Sequence, residues 1–139
     1  MSPVFDPNDR SIRATFAGKH LLLTGVTGFL GKVWLSMVLD RLPEVRKITV
    51  IARGQKGQTA ADRFEKIYEC SPAFRPLREK HGLGLRALIA DKIEVLDAPL
   101  SKPLCGLSKE DAARIMADVD CVVPFAGLVD FEPDPRMAI

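Results

Sequence analysis

The sequence predicts an α/β fold, a parallel sheet with helices on both of its faces. Three observations carry this. Four apolar runs of strand length recur along the chain, segments with helical spacing separate them, and proline- or glycine-bearing loops punctuate the joins. Strands that alternate with helices in this way join as parallel neighbours, because a helix supplies the return path. The pattern gives four strands, after which the chain is expected to stop short of a complete doubly wound sheet.

Residues 1–16, with prolines at positions 3 and 7, read as a lead-in without a stable element. His20 to Thr24 (HLLLT) is a short apolar run, typical of a strand covered on both faces. From Phe29 to Leu42 the spacing is helical. Leu30, Val33, Trp34, Met37, Val38 and Leu42 can share a face, which Leu35 and Leu39 widen. Pro43 closes that helix. Lys47 to Ala52 (KITVIA) is β-branched and reads as the second strand. Gly54 and Gly57 mark a loop. Thr59 with Asp62 resembles a capping box opening a helix that runs to about Glu69, where Ser71-Pro72 breaks it. A short helix is expected over Pro76 to Lys80. Lys92 to Leu96 (KIEVL) is the third strand, followed by a loop with Pro99 and Pro103. Ser108 starts a helix to about Ala117, with Glu110 and Asp111 near its positive end. Asp120 to Phe125 (DCVVPF) is the fourth strand, and Pro124 implies a strand end or irregularity there.

Composition narrows the functional classes. At 139 residues and 47% hydrophobic content, one packed core is expected. A formal charge of +2 with scattered cations gives no reason to expect nucleic acid as a partner. Cys70, Cys105 and Cys121 are odd in number and widely spaced, which supports neither a disulfide framework nor a zinc site. Reduced thiols in a cytoplasmic protein are the simpler reading. The N-terminus has no signal-peptide character, and no apolar run is long enough to span a bilayer. His20 and His81 are isolated, and Asp130, Glu132 and Asp134 read as a solvated acidic loop, so no metal site is expected. Trp34 and Cys121 read as packing residues.

The join between the first strand and the first helix is the informative segment. It reads Thr24-Gly25-Val26-Thr27-Gly28-Phe29-Leu30-Gly31, with glycines three apart. This is the logic of a pyrophosphate cradle in a Rossmann-like domain. Gly25 permits the turn out of the strand, Gly28 lets a phosphate approach the backbone, and Gly31 allows close packing of the helix. The free N–H groups of the first helical turn then face the anion. An apolar strand before the motif and an amphipathic helix after it are the context it requires. A ligand-free glycine connection is the alternative.

At the end of the second strand, where an acidic residue would bind the ribose of NAD, stands Arg53, with Lys56 close by. A guanidinium suits the additional 2′-phosphate of NADP. NADPH is therefore the expected cofactor, and a merely solvated basic loop is the alternative.

These residues, taken as TGVTGFLGKV, PEVRKI, IARGQKGQTAADRF and GLSKEDAARIMADVD, resemble the fatty acyl-CoA reductase and thioester reductase branch of the extended short-chain dehydrogenase/reductases. Arg53, Lys56, Gly57, Gln58 and Arg63 fall where that branch has Arg, Lys, Gly, Gln and Arg. The resemblance covers residue 17 to the end and implies that residues 17–139 are the N-terminal portion of an NAD(P)-binding Rossmann domain. It further implies an NADPH-dependent parent reductase whose substrate is a long-chain fatty acyl-CoA or other acyl thioester, reduced to aldehyde or alcohol. Membrane association, if any, would come from a region outside this chain. By position, Gly25, Thr27, Gly28, Phe29 and Leu30 would line the pyrophosphate. Arg53 and Lys56 would hold the 2′-phosphate, and Ala126 and Gly127 would lie along the cofactor near its ribose.

Three departures stand out. After the fourth strand, where the branch has His or Asn and then Ser-Ala-Ala, the run is Pro124-Phe125-Ala126-Gly127. The Gly-Asp pair that the branch carries after its third strand is replaced by Ala98-Pro99, with Asp97 just upstream, which leaves the adenine contacts open. The Tyr-x-x-x-Lys pair, whose tyrosine would donate a proton, is absent: the single tyrosine, Tyr68, is followed four positions later by Pro72. No catalytic residue is assigned, and this chain by itself is expected to be inactive. Two other readings remain: a related reductase acting on a different carbonyl, and a truncated, non-catalytic nucleotide-binding module.

Overall fold

A computed structural model describes residues 11–127 and Arg136. Four strands, β1 (His20–Thr24), β2 (Lys47–Ala52), β3 (Ile93–Asp97) and β4 (Cys121–Pro124), form one parallel sheet in the order β3-β2-β1-β4. β1 is central and every residue of it is buried. It pairs with β2 from His20↔Lys47 to Thr24↔Ile51 and with β4 from Leu21↔Cys121 to Thr24↔Pro124. Pro124 is the last residue of the edge strand. The next bond to β1 comes from Phe125 N–H to the Thr24 carbonyl, so the missing proline donor interrupts nothing on that side.

The period-two alternation of the strands builds two cores. Leu21, Leu23, Ile48 and Val50 point to the larger one, which is covered by α2 (Phe29–Arg41), α3 (Ala60–Cys70), α4 (Arg75–His81) and α5 (Leu85–Lys92). Leu22 and Ile51 point to the smaller one, where Ile115 of α6 (Lys109–Asp118) and Ala98 meet them. The sheet is thus clothed on both faces, unequally.

Several elements differ from the sequence expectation. A short helix, α1 (Ile12–Phe16), occupies part of the supposed lead-in. Ser11 caps it, Arg13 pairs with Glu44, and Phe16 meets the Trp34 ring edge-on at 6.4 Å. α2 buries Gly31, Leu35, Ser36, Val38 and Leu39, whereas Leu30 and Met37 are exposed. This helix is apolar on nearly every side, so periodicity alone does not fix its rotation. The approach of Gly31 to the preceding turn does. α5 was not anticipated, although Leu85, Leu88 and Ile89 have helical spacing and Leu85 and Ile89 are buried. Lys92 belongs to α5 rather than β3, and its ammonium donates to the carbonyls of Pro43 and Val45. The Thr59–Asp62 capping box and the Ser108 cap are present as expected.

On the smaller face a polar network fastens α6 to the sheet. The Nδ1 of His20 donates to the Asp118 carboxylate at 2.7 Å, and its Nε2 lies 2.7 Å from the Thr49 hydroxyl. Arg114 of α6 grips Glu94 of β3 with two hydrogen bonds, of 3.0 and 2.7 Å, and Lys47 adds a third cationic contact at 2.7 Å. Arg114 first, and then Lys47, pull the Glu94 carboxyl down from its ordinary 4.5 to about 2. His20 is therefore a structural residue.

Candidate functional site: a cleft at the carboxyl ends of the strands

All four strands run the same way, so their carboxyl ends open on one side, where α/β sheets bind ligands. The order β3-β2-β1-β4 puts the switch in winding direction between β1 and β4. There the chain forms a cleft of about 460 Å³. Its lining includes Gly25, Thr27 and Gly28 from the turn after β1, Arg53 from the end of β2, and Ala126 and Gly127 beyond β4. Six of the ten residues singled out by sequence thus face one cavity.

The glycines divide the work. Gly25 sits at φ +80°, and a Cβ there would lie 2.4 Å from the Ala126 nitrogen and 2.5 Å from the Phe125 carbonyl carbon. It lets the β4 end close onto the turn. A Cβ on Gly31 would lie 2.2 Å from the Gly25 oxygen, so this glycine brings α2 down onto the turn itself. Gly28 is different. A Cβ there would meet no protein atom nearer than the Gly25 oxygen at 3.4 Å. Its missing side chain leaves room in the cleft rather than serving a contact within the chain.

Gly28 is also the N-cap of α2 and offers no side-chain cap, and the first turn holds no acidic residue. Helical geometry leaves the N–H groups of Phe29, Leu30 and Gly31 without a carbonyl one turn back. The positive end of the helix therefore faces the cleft with no anion of its own. Phe29 and Leu30, 78% and 64% exposed, do not line the cleft, unlike Gly28 just before them. The cradle fits a pyrophosphate.

The basic loop is more ordered than its composition implies. Gln55 and Gln58 exchange two backbone hydrogen bonds, of 2.9 and 3.0 Å, around Lys56 and Gly57, which have φ of 51° and 78°. Positive φ at both central residues marks a tight hairpin turn with Lys56 at its tip. Lys56 is exposed and does not line the cleft. Arg63 of α3 does line it, and its guanidinium also donates to the Arg53 carbonyl. Two arginines thus line this end of the cleft.

Sequence reasoning set Asp97 and Ala98-Pro99 apart as a departure without giving them a role, and it missed both what Asp97 holds and the wall beyond it. Ala98, Pro99, Leu100 and Ser101 line the cleft opposite the glycine turn. Asp97 accepts from the backbone N–H of Gly54 and of Ala60, each at 3.0 Å. These bonds, with the charge of Arg63 behind them, hold its carboxyl below the usual range. An acid at a strand end was visible in the sequence, but its partners lie some 40 positions earlier and leave no local pattern. Tyr68 is buried on α3, its ring 5.6 Å from that of Phe64. The acidic run Asp130, Glu132 and Asp134 lies outside the described residues. Among the described residues, no helix is long and apolar enough to cross a membrane.

A parallel sheet with a glycine cradle at its switch point defines a Rossmann-like dinucleotide-binding domain. The chain belongs to the male sterility protein family of NAD-binding domains, whose sequence profile matches residues 23–139. Fatty acyl-CoA reductase 1 of Mus musculus is 35% identical over 129 residues, 93% of this chain and 24% of the mouse protein. The Homo sapiens counterpart is 33% identical over the same coverage. Among solved structures, the reductase domain of a non-ribosomal peptide synthetase from Mycobacterium tuberculosis superposes with a TM-score of 0.62 at 31% identity, covering 80% of this chain and 24% of that one. The terminal reductase domain of the myxalamid pathway gives 0.63 at 25% identity, covering 88% of this chain and 28% of that one. The chain spans about a quarter of the length of these relatives.

Proposed function

We propose that this chain is the NADPH-binding part of a reductase acting on long-chain fatty acyl-CoA. The observation that carries the reading is the cleft itself, which sets an uncapped glycine cradle and two arginines, Arg53 and Arg63, on one cavity. Kinship with fatty acyl-CoA reductases and with reductase domains of peptide synthetases supports the substrate class, an acyl thioester.

In this reading the N–H groups after Gly28 hold the pyrophosphate, and the space left by the Gly28 side chain admits it. Arg53 binds the 2′-phosphate, with Arg63 fixing the Arg53 backbone and Lys56 adding charge from the hairpin tip. Ala126 and Gly127 run along the ribose. The bound cofactor supplies a hydride for the thioester carbonyl. The 139 residues contain no Tyr-x-x-x-Lys pair, so their share is proposed to be binding and orientation, without turnover. A cytoplasmic setting is supported by three unpaired thiols.

Titration calorimetry of the chain with NADPH and NADH tests the reading. The expected result is binding of NADPH at least about tenfold tighter than NADH. Equal affinities would remove the NADPH assignment, and no binding of either would remove the cofactor-binding role.

A further inference from the structure

We propose that Asp97 is a positioning residue for cofactor choice, its carboxylate clamping the two ends of the Arg53–Thr59 loop so that Arg53 and Arg63 are presented together to the 2′-phosphate. The proposal rests on the NADPH reading above.

The geometry is specific. Asp97 is the last residue of β3 and pairs in register with Ala52, immediately before Arg53. One carboxylate oxygen accepts from Gly54 N–H at the start of the loop. The other accepts from Ala60 N–H at the first turn of α3. The capping box of α3 uses the N–H groups of Thr59 and Asp62, which leaves Ala60 N–H for Asp97. Each end of the loop is therefore held by one oxygen of a single side chain, while Gln55 and Gln58 zip the middle.

Gly54 is shaped for this arrangement. A Cβ there would lie 2.6 Å from the Gln58 oxygen and 3.1 Å from the Asp97 carboxylate. The loop backbone thus packs directly against the clamp. A bare carboxylate at this end of the cleft would repel a phosphate. Two backbone donors and the nearby Arg63 charge offset that repulsion. Asp97 acts through the loop, and the contact with the phosphate is left to the guanidinium groups.

Two substitutions separate geometry from charge. Asp97→Asn keeps the shape and loses one acceptor, so one of the two N–H groups is orphaned. Asp97→Glu keeps the charge but carries its oxygens one methylene farther out. Each variant of the full chain is titrated with NADPH and NADH, and thermal melting checks that it is folded. In both, the NADPH preference is expected to fall by about tenfold while NADH affinity stays level, because NADH has no 2′-phosphate to lose. A merely structural role would weaken both cofactors together, and that result overturns the proposal. So does an intact preference in either folded variant, or a gain in NADPH affinity in Asp97→Asn, which would make the carboxylate only a repulsive neighbour. Should either variant fail to fold, Asp97→Ser, whose single hydroxyl cannot hold both N–H groups, replaces it, read as 2′,5′-ADP against 5′-AMP binding with the same expected loss of preference. A wild-type chain with no preference for NADPH is a different failure, since it removes the underlying reading rather than the Asp97 role alone.

Discussion

The backbone nitrogen of Ala126 lies 2.4 Å from the point where a Cβ on Gly25 would stand, so the first and last segments of the cleft touch only because residue 25 is glycine. Gly25 also holds φ +80°. Gly25→Ala is expected to lower stability by at least about 2 kcal/mol, from the left-handed backbone and the clash together, and to abolish NADPH binding. Gly28→Ala is the contrasting case. Its φ is −83° and its Cβ meets no atom within 3.4 Å, so it should melt within about 1 kcal/mol of wild type yet bind NADPH poorly. Chemical denaturation alongside cofactor titration separates the two.

The two cations named from sequence in the basic loop differ in position, and their substitutions should differ too. Arg53→Ala removes a guanidinium that lines the cleft and should reduce the NADPH preference about tenfold. Lys56→Gly removes an exposed, screened charge at the hairpin tip and should reduce it about twofold. The same change relieves a positive φ, so its stability should hold or rise by up to about 1 kcal/mol. Affinity and melting measurements on the two variants check both halves.

Phe74 is fully buried beneath the helices of the larger face. Phe74→Ala should cost about 3–5 kcal/mol in urea denaturation. A cost below about 1 kcal/mol would mean that α4 and the turn before it do not pack as described.

Glu94 makes stability depend on acid pH. Its folded value lies near 2, below its ordinary 4.5, because Arg114 and Lys47 stabilise the carboxylate. The stabilisation is fully present above pH 4.5 and is lost as the pH falls through about 2. Partial solvation of the partners limits it to the order of 1–2 kcal/mol. Denaturation of wild type and Glu94→Gln across that range should show a gap at neutral pH that closes toward pH 2. A constant gap would contradict the linkage.

Much of this fold was legible because its signals are local. The four strands show as apolar runs, Gly25 and Gly28 punctuate one strand-to-helix join, and Thr59 with Asp62 announces a helix start within four residues. What escaped depends on distant partners. The rotation of α2 follows from Gly31 meeting Gly25, and a helix that is apolar on nearly every side does not reveal that. α5 is short and sits behind two glycines, so its three apolar positions give a weak period. Asp97 carries no motif, because it meets Gly54 and Ala60 only once β3 pairs with β2. Arg63 matched the reductase branch by position but carried no assigned role, and only the fold brings it back to the Arg53 carbonyl.

The central claim, that the Gly25–Gly31 turn is a dinucleotide cradle, is most directly tested by following backbone amide resonances of the labelled chain as NADPH is added. The largest shifts are expected at Thr27, Gly28, Phe29 and Leu30, with further shifts at Arg53, Ala126 and Gly127. Saturable binding that leaves the Thr27–Leu30 amides unmoved would contradict the account.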